Sequence, residues 1–176
     1  MAKITFILGG ARSGKSTYAL KLAGKFNQVA FIATCEGLDK EMKERINLHK
    51  KSRPNHWKTF EEPKDIILAL KNIGSNFQCA IIDCLTLLVS NLILAGHSKD
   101  SITDKITHVL TYLERKKIKV IIVSNEVGLG IVPKNKLSRN FRDIAGKINQ
   151  IVAAKADEVI FMVSGIPVKI KRQKHG

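Results

Sequence analysis

Short apolar runs of strand length recur along the chain, and most are separated by segments long enough to hold a helix. The runs cover residues 4–8, 29–33, 80–82, 120–123, 159–163 and 168–170. They are nearly continuous in apolar residues, a pattern typical of parallel strands that are covered on both faces. Only Ser-Gly-Ile-Pro separates the last two runs, which predicts an antiparallel hairpin at an edge of the sheet.

The polar and apolar spacing between these runs predicts helices over residues 15–26, 39–51, 63–72, 103–117 and 137–154, with Pro63 in a first helical turn. Strands alternating with helices indicate an α/β fold with a mostly parallel sheet. The chain has 176 residues, which suits one core, and we expect a single domain over residues 1–176.

Composition narrows the class of protein. Hydrophobic residues make up 44% and charged residues 26%, which excludes a disordered chain. The longest uncharged stretch, residues 84–98, is too short for a membrane span, and the first residues lack the features of a signal peptide. We expect a cytoplasmic protein without stable membrane insertion. Cys35, Cys79 and Cys84 have no metal-site spacing, so we expect reduced thiols.

The net charge of +15 attracts phosphate-bearing partners of any kind. The chain has seven Phe, two Tyr and one Trp, and the basic residues are scattered rather than interleaved with aromatic residues. Because single-stranded nucleic acids need stacking platforms, this pattern favours a solvated lysine-rich surface over a nucleic-acid interface.

A phosphate-binding loop follows the first strand. Its sequence fits G-x-x-x-x-G-K-[ST] and consists of Gly9, Gly10, Ala11, Arg12, Ser13, Gly14, Lys15 and Ser16. Backbone amides of such a loop surround a β-phosphate, and the lysine neutralises the β and γ oxygens. The Ser16 hydroxyl is a ligand for Mg²⁺. The loop therefore predicts a nucleoside triphosphate with Mg²⁺ as its cofactor.

The strand over residues 80–82 ends in Asp83, the place where an acid organises Mg²⁺ directly or through water. The alternative is that Asp83 caps a following helix. A regulatory GTPase is discounted, since residues 135–138 read Asn-Lys-Leu-Ser and lack the aspartate that pairs with guanine.

Between the second and third predicted strands, Arg45 and His49 are four residues apart and share a helix face, and Arg53 follows before Pro54. A neutral imidazole nitrogen can attack an α-phosphate while guanidinium groups stabilise the developing charge. The spacing alone leaves open whether His49 is a nucleophile or an exposed helix residue.

The ordered motifs of nearly the whole chain resemble the bifunctional adenosylcobinamide kinase / adenosylcobinamide-phosphate guanylyltransferase family of cobalamin biosynthesis. The matching segments are the phosphate-binding loop and residues 32–34, 41–63, 83–92, 124–133 and 137–150. The resemblance implies a RecA-like P-loop fold, a homo-oligomer (trimer or hexamer), and two reactions. The first phosphorylates adenosylcobinamide with ATP or GTP. The second transfers GMP from GTP through a guanylylated histidine to adenosylcobinamide phosphate.

The resemblance also assigns residues. It implies that His49 is the nucleophile, and in this chain Leu48 stands where some members carry a second histidine. It implies that the phosphate-binding loop holds the triphosphate, and that the nucleotide site includes Thr34, Cys35, Glu36, Arg53, Glu62 and, near the base, Leu85. Asn125, Glu126, Arg142 and Asp143 resemble an active-site or subunit-contact group, with a buried Arg142–Asp143 network as the alternative.

Two other functions remain open on the residues alone. One is a simple P-loop small-molecule kinase that moves only the γ-phosphate and in which His49 is a bystander. The other is a basic RecA-like ATP-dependent nucleic-acid protein, whose DNA affinity would fall steeply with salt.

Overall fold

The structure is a computed structural model that describes residues 1–37, 40–51 and 53–172; of Glu41, Met42, Arg45 and His49 it describes the backbone alone. The strands are β1 (Lys3–Gly9), β2 (Val29–Ala33), β3 (Lys58–Glu61), β4 (Cys79–Asp83), β5 (Lys119–Asn125), β6 (Glu158–Val163) and β7 (Ile166–Arg172). The helices are α1 (Lys15–Ala23), α2 (Lys40–Lys51), α3 (Ile66–Asn72), α4 (Leu85–Leu94), α5 (Lys99–Glu114) and α6 (Lys136–Lys155).

The described strands form one sheet in the order β3-β2-β4-β5-β1-β6-β7. Neighbours from β3 to β6 are parallel, and β7 pairs antiparallel with β6. The predicted mostly parallel α/β sheet and its C-terminal hairpin are therefore confirmed. Strand β5 lies between β1, which carries the phosphate-binding loop, and β4, which ends in Asp83.

Helices cover both faces of the sheet, and each face has its own apolar cluster. The larger cluster joins alternate strand residues such as Phe6, Ile82 and Ile122 to α3, α4, α5 and α6. The other joins Ile7, Ile81 and their neighbours to α1. Because successive side chains of a strand point to opposite faces, a strand buried on both sides must be apolar at every position, as the sequence pattern predicted.

Two elements were missed by the pattern. Strand β3 is four residues long and reads KTFE, so it has neither the length nor the apolar content of the other strands. Helix α4 reads LTLLVSNLIL and has six buried residues. Because this helix is buried on nearly all sides, it has no polar face. Its sequence therefore lacks the alternation of apolar and polar residues by which an amphipathic helix is predicted.

Some predicted helix boundaries were wrong. Helix α3 begins at Ile66 with Asp65 as its N-cap, so Pro63 lies before the helix rather than in its first turn. The Leu68 amide donates to the Asp65 carboxylate at 3.1 Å. Helix α5 begins at Lys99, four residues earlier than predicted, because the Ser98 hydroxyl caps it by accepting from the Ser101 amide. Asp39, the predicted start of α2, lies outside the described residues.

Among the described residues, no helix combines the length and apolar content needed to cross a bilayer.

Candidate active site

Several of the predicted site residues lie at one edge of the sheet, where the parallel strands end. The strand register places Gly9 beside Asn125, and Ala33 beside Asp83. Asp83 in turn lies beside Val123 of β5. In doubly wound sheets, ligands bind outside the carboxyl ends of the strands. The phosphate-binding loop and Asp83 therefore lie at the same edge of the sheet, and the space outside these strand ends is called the cleft below.

The phosphate-binding loop turns directly from β1 into α1. Gly14 adopts a φ of 90° immediately before the first helical residue, Lys15, a conformation that favours glycine. Gly10, Ala11 and Arg12 are exposed, whereas Ser13 is buried. The helix amides thus begin at the loop, which is the arrangement that binds phosphate.

Lys15 lies inside the loop rather than in solvent. Its ammonium donates hydrogen bonds to the Gly10 carbonyl and to the Ser13 hydroxyl, and its side chain is 7% exposed. Burial lowers the pKa of Lys15, and the negative charge of nearby Asp83 acts in the opposite direction. Lys15 follows the loop at the end of β1, and Asp83 at the end of β4 lies on the far side of β5 at the same edge of the sheet.

Ser16 and Asp83 are suited to share a magnesium ion. Ser16 is in the first turn of α1 and is half-buried. Asp83 lies on the α1 face of the sheet, because Ile81, two residues earlier, belongs to the α1 cluster. No group of three or more metal-binding His, Cys, Asp or Glu side chains occurs within the described part of the chain. Mg²⁺ is usually bound by one or two protein oxygens plus phosphate and water, so this sparse donor set fits it.

Asp83 is the last residue of β4, and the N-cap of α4 is Cys84. The alternative in which Asp83 caps the helix is therefore wrong. The Asp83–Cys84 peptide bond is cis.

Thr34 and Cys84 fix the ends of β2 and β4 to each other. The Thr34 hydroxyl donates to the Cys84 carbonyl at 2.7 Å and accepts from the Cys84 amide at 2.8 Å. The Asn91 carboxamide donates to the carbonyls of Thr34 and Pro63 at 2.8 and 3.1 Å. The Thr34 side chain is fully buried and so positions the backbone beside Asp83.

Arg53 reaches the same edge from the segment after α2. Its guanidinium lies 3.5 Å from the ring centroid of Phe31 and donates to the Thr59 hydroxyl at 3.1 Å. Burial lowers the pKa of Arg53, while the charges of Asp83 and Glu61 raise it. The Phe31 stack and the Thr59 hydrogen bond were not predicted, since no local motif links these strands.

The remaining predicted nucleotide-site residues border the cleft in different ways. Cys35 and Glu36 are half-buried after β2, and Glu36 pairs with Lys64 at 3.6 Å. The Glu62 carboxylate accepts from the amides of Lys64 and Asp65 at 3.2 and 2.9 Å. The Leu85 side chain is 3% exposed and belongs to the core, so only its backbone faces the strand ends.

His49 lies in α2, but its side chain is outside the described part of the structure, as is that of Arg45. The next residue, Lys50, forms an ion pair with Glu61 at the end of β3. The C-terminal end of α2 is therefore tied to the sheet edge that holds the cleft.

A second polar network was missed by the sequence interpretation. The Ser124 hydroxyl contacts Thr86 Oγ1 at 3.1 Å and donates to Asn149 Oδ1 at 2.8 Å. Thr86 Oγ1 accepts from the Asn125 amide at 2.6 Å, and the Asn149 carboxamide donates to the Asn125 carbonyl at 3.1 Å. One signal in the sequence could have predicted this network: Thr86 and Asn149 are polar residues on helix faces that are otherwise buried.

Arg142 and Asp143 do not form a buried network. They pair with each other at 3.4 Å, and the Asp143 side chain is 67% exposed. The alternative of a buried Arg142–Asp143 network was therefore wrong. Glu126 lies at the strand edge, where its amide donates to the Gly9 carbonyl at 3.0 Å.

Comparison with known sequences gives matches along nearly the whole chain. The sequence model of the CobU family, described as cobinamide kinase / cobinamide phosphate guanyltransferase, matches residues 5–170. The bifunctional adenosylcobalamin biosynthesis protein CobU of Salmonella typhimurium is 44% identical over 177 residues, which cover 94% of this chain and 98% of that protein. The corresponding protein CobP of Pseudomonas aeruginosa is 40% identical over 166 residues, covering 94% and 95%.

Solved structures with little sequence identity share the fold. A KaiC-like protein from Pyrococcus horikoshii has a TM-score of 0.55 at 18% identity, over 90% of this chain and 70% of that one. The RadB recombinase has a TM-score of 0.52 at 17% identity, over 90% and 73%. These similarities confirm the predicted RecA-like P-loop fold.

Proposed function

Since the chain belongs to the cobinamide kinase / cobinamide phosphate guanyltransferase family, we propose that it carries out both reactions in the cleft at the carboxyl edge of the sheet. In the first, a hydroxyl of adenosylcobinamide receives the γ-phosphate of ATP or GTP. In the second, the phosphorylated product receives GMP from GTP, giving adenosylcobinamide-GDP and pyrophosphate. The observation that carries this proposal is the family match, together with a phosphate-binding loop that lies at the same edge of the sheet as Asp83.

The kinase step uses the loop to bind and orient the triphosphate. The substrate hydroxyl oxygen attacks the γ-phosphorus, the bond to the β–γ bridging oxygen breaks, and the nucleoside diphosphate leaves while the hydroxyl proton passes to solvent. Lys15 neutralises charge on the transferring group, and the α1 amides hold the β-phosphate. Because its ammonium is buried among loop acceptors, Lys15 is positioned before the nucleotide arrives.

Ser16 and Asp83 are the residues that would hold Mg²⁺. When bound, the ion neutralises the β and γ oxygens and orients the phosphates. The Ser16 hydroxyl and the Asp83 carboxylate supply the hard oxygen donors that Mg²⁺ prefers.

The guanylyltransferase step requires a nucleophile at the α-phosphorus, and we assign it to His49. A neutral imidazole nitrogen attacks the α-phosphorus of GTP, the bond to the α–β bridging oxygen breaks, and pyrophosphate leaves. A phosphate oxygen of adenosylcobinamide phosphate then attacks the same phosphorus, breaks the P–N bond and regenerates the imidazole. The simple-kinase alternative lacks this step and does not account for the family match.

The described neighbours of His49 support its placement at the cleft. Lys50 pairs with Glu61, and Arg53 lies against Phe31 within the electrostatic influence of Asp83. Both residues follow His49 in the chain, and their contacts hold the C-terminal side of His49 near the strand ends. A half-buried guanidinium here also suits the charge that develops on a phosphate.

The test uses GTP labelled at the α or the γ phosphate, incubated with the purified protein and Mg²⁺. We expect an acid-labile, alkali-stable adduct from the α label alone, because P–N bonds to histidine hydrolyse in acid. His49→Ala should remove the adduct and retain transfer of the γ label to cobinamide. His56→Ala is the matched control, since His56 is an exposed histidine of the same segment, and it should form the adduct normally.

An adduct that persists in His49→Ala would reject this residue as the nucleophile. Absence of any adduct in the native protein, with cobinamide phosphorylation intact, would support the simple-kinase alternative. Absence of both reactions, with GTP bound, would reject the proposed function.

We also propose a homo-oligomer. The segment after β5 exposes apolar side chains, with Ile131 96%, Leu129 79% and Val132 60% exposed. Contiguous exposed apolar residues mark interaction surfaces. Light scattering should give a trimer or hexamer for the native chain and smaller species for Ile131→Asp; a native monomer would reject the proposal.

A further inference from the structure

Asn125 occupies a position between the two strands that carry the phosphate chemistry. It is the last residue of β5 and lies beside Gly9, the first glycine of the phosphate-binding loop. On the other side of β5, Val123 lies beside Asp83. Asn125 is therefore one strand away from the loop and one strand away from the carboxylate.

The side chain of Asn125 lies on the same face of the sheet as α1. Ile121 and Val123 belong to the α1 cluster, and side chains at every second strand position share a face. Asp83 shares this face through Ile81 and Cys79. At the neighbouring Gly9, the position that a Cβ would take is already filled by the Met162 carbonyl and the Ser13 hydroxyl, at 2.6 and 2.7 Å, so only glycine fits beside Asn125 on that strand.

Both backbone groups of Asn125 are held by buried side chains. Its amide donates to Thr86 Oγ1 and its carbonyl accepts from the Asn149 carboxamide. Both of these residues contact Ser124, whose side chain is 1% exposed. By contrast, the described residues offer no hydrogen-bond partner to the Asn125 carboxamide itself, which is half-buried. The backbone is fixed, and a donor is left at the edge of the cleft.

We infer that Asn125 is a catalytic residue of the kinase step, whose carboxamide N–H donates a hydrogen bond to an oxygen of the γ-phosphoryl group during transfer. This assignment rests on the proposed function. The loop places the β-phosphate at the start of α1, and the γ-phosphate of a P-loop protein lies further toward the acid of the metal site. Asn125 lies on the strand between them.

The role predicts an unequal effect on the two reactions. In the kinase step, charge develops on the γ-phosphoryl group as it transfers, so a fixed donor there stabilises the transition state. In the guanylyl step, the bond that breaks joins the α-phosphorus to the β–γ unit, and the γ-phosphate only departs with pyrophosphate. A donor at the γ-phosphate therefore contributes less to guanylyl transfer.

The experiment compares Asn125→Ala and Asn125→Asp with the native chain in both reactions. We expect kcat for cobinamide phosphorylation to fall about 100-fold in Asn125→Ala, with the KM for cobinamide within about twofold of native. The rate of α-label adduct formation should stay within about threefold of native. Asn125→Asp keeps the shape but loses the donor, so its kinase kcat should be at least as low.

Asn76→Ala is the matched control, because Asn76 is an exposed asparagine in the loop preceding β4, at the opposite edge of the sheet. It should leave both reactions and the melting temperature unchanged. Equal loss of kinase and guanylyl activity in Asn125→Ala, or a kinase kcat near native in either variant, would overturn the assignment. The assignment would also be overturned if the melting temperature of Asn125→Ala fell far enough to account for its loss of kinase activity. If the native chain itself fails to phosphorylate cobinamide, the proposed function fails rather than the role of Asn125.

Discussion

The amide of Gly165 donates a 3.0 Å hydrogen bond to the carbonyl of Ser13. Gly165 lies in the two-residue turn between β6 and β7, and Ser13 lies in the phosphate-binding loop. The contact is close: a Cβ added to Gly14 would lie 3.3 Å from the Gly165 Cα. The turn of the C-terminal hairpin therefore forms one wall of the phosphate-binding loop, although the two segments are about 150 residues apart in sequence.

Gly165→Val should weaken nucleotide binding. Gly165 has a φ of 83°, where a β-branched residue is strained, so the turn must shift and its hydrogen bond to Ser13 must lengthen. We expect the Kd for GTP to rise about tenfold, equal to about 1.4 kcal/mol, as measured by calorimetric titration.

Gly96→Val provides the control for strain. Gly96 also has a φ of 83°, and an added Cβ would have nothing within 4 Å at either glycine. Both variants should lose similar stability, but Gly96→Val should bind GTP like the native chain. The same affinity in both variants would show that the hairpin turn does not support the loop.

Asp83→Asn should raise the Mg²⁺ concentration needed for activity. The amide keeps the shape of the side chain but loses the charge that attracts the cation. We expect at least a tenfold increase in the half-saturating Mg²⁺ concentration of the kinase reaction, measured at saturating nucleotide. Asp104→Asn, an exposed change on α5, should have no effect. An unchanged Mg²⁺ dependence in Asp83→Asn would remove Asp83 from the metal site.

Thr34→Val should destabilise the fold and disturb the cleft together. The variant leaves the buried Cys84 amide and carbonyl without the Thr34 hydroxyl, and an unpaired buried polar group costs about 1 to 3 kcal/mol. Urea unfolding measures the change in the free energy of unfolding. Thr107→Val, at an exposed position of α5, should remain close to native. A Thr34→Val variant as stable as native would show that these hydrogen bonds contribute little.

The sequence predicted the elements that depend on local pattern. The parallel sheet, the hairpin and the phosphate-binding loop follow from apolar runs, spacing and glycine positions, and the structure contains all three. The phosphate-binding loop and Asp83 reach one edge because parallel strands end together, and the strand ends at Gly9, Ala33 and Asp83 mark that edge.

The parts of the fold and of the site that the sequence did not predict depend on contacts between segments that are distant in the chain. Arg53 lies over Phe31, and Gly165 contacts Ser13, yet no spacing in the sequence links either pair. The Thr86–Ser124–Asn149 network joins α4, β5 and α6, and its members are individually ordinary polar residues. Strand β3 forms because it pairs with β2, a tertiary contact that outweighs its weak local pattern.

The buried thiols of Cys79 and Cys84 should make the fold less stable at alkaline pH. Burial raises the pKa of each to about 12, from the ordinary 9.0, and in Cys84 the charge of Asp83 adds to the effect. The folded state therefore holds these protons where the unfolded state has lost them. The contribution of the two protonated thiols to the free energy of unfolding is therefore complete below pH 9. It declines as the pH rises from 9 toward 12.

Comparison of the native chain with Cys79→Ala isolates this contribution. At pH 10 the unfolded thiol is mostly ionised, so each buried cysteine should lower the free energy of unfolding by about 1.4 kcal/mol relative to pH 8. Burial lowers the pKa of Lys119, which acts in the opposite direction. Lys119 is present in all three proteins, and its electrostatic interaction with Cys79 is a smaller influence on either group than burial. Urea unfolding at the two pH values should thus show a smaller decline for Cys79→Ala, and a smaller one again for Cys79→Ala/Cys84→Ala. Equal declines in all three proteins would mean that the thiols ionise without unfolding, through water that reaches the two sites in the folded state.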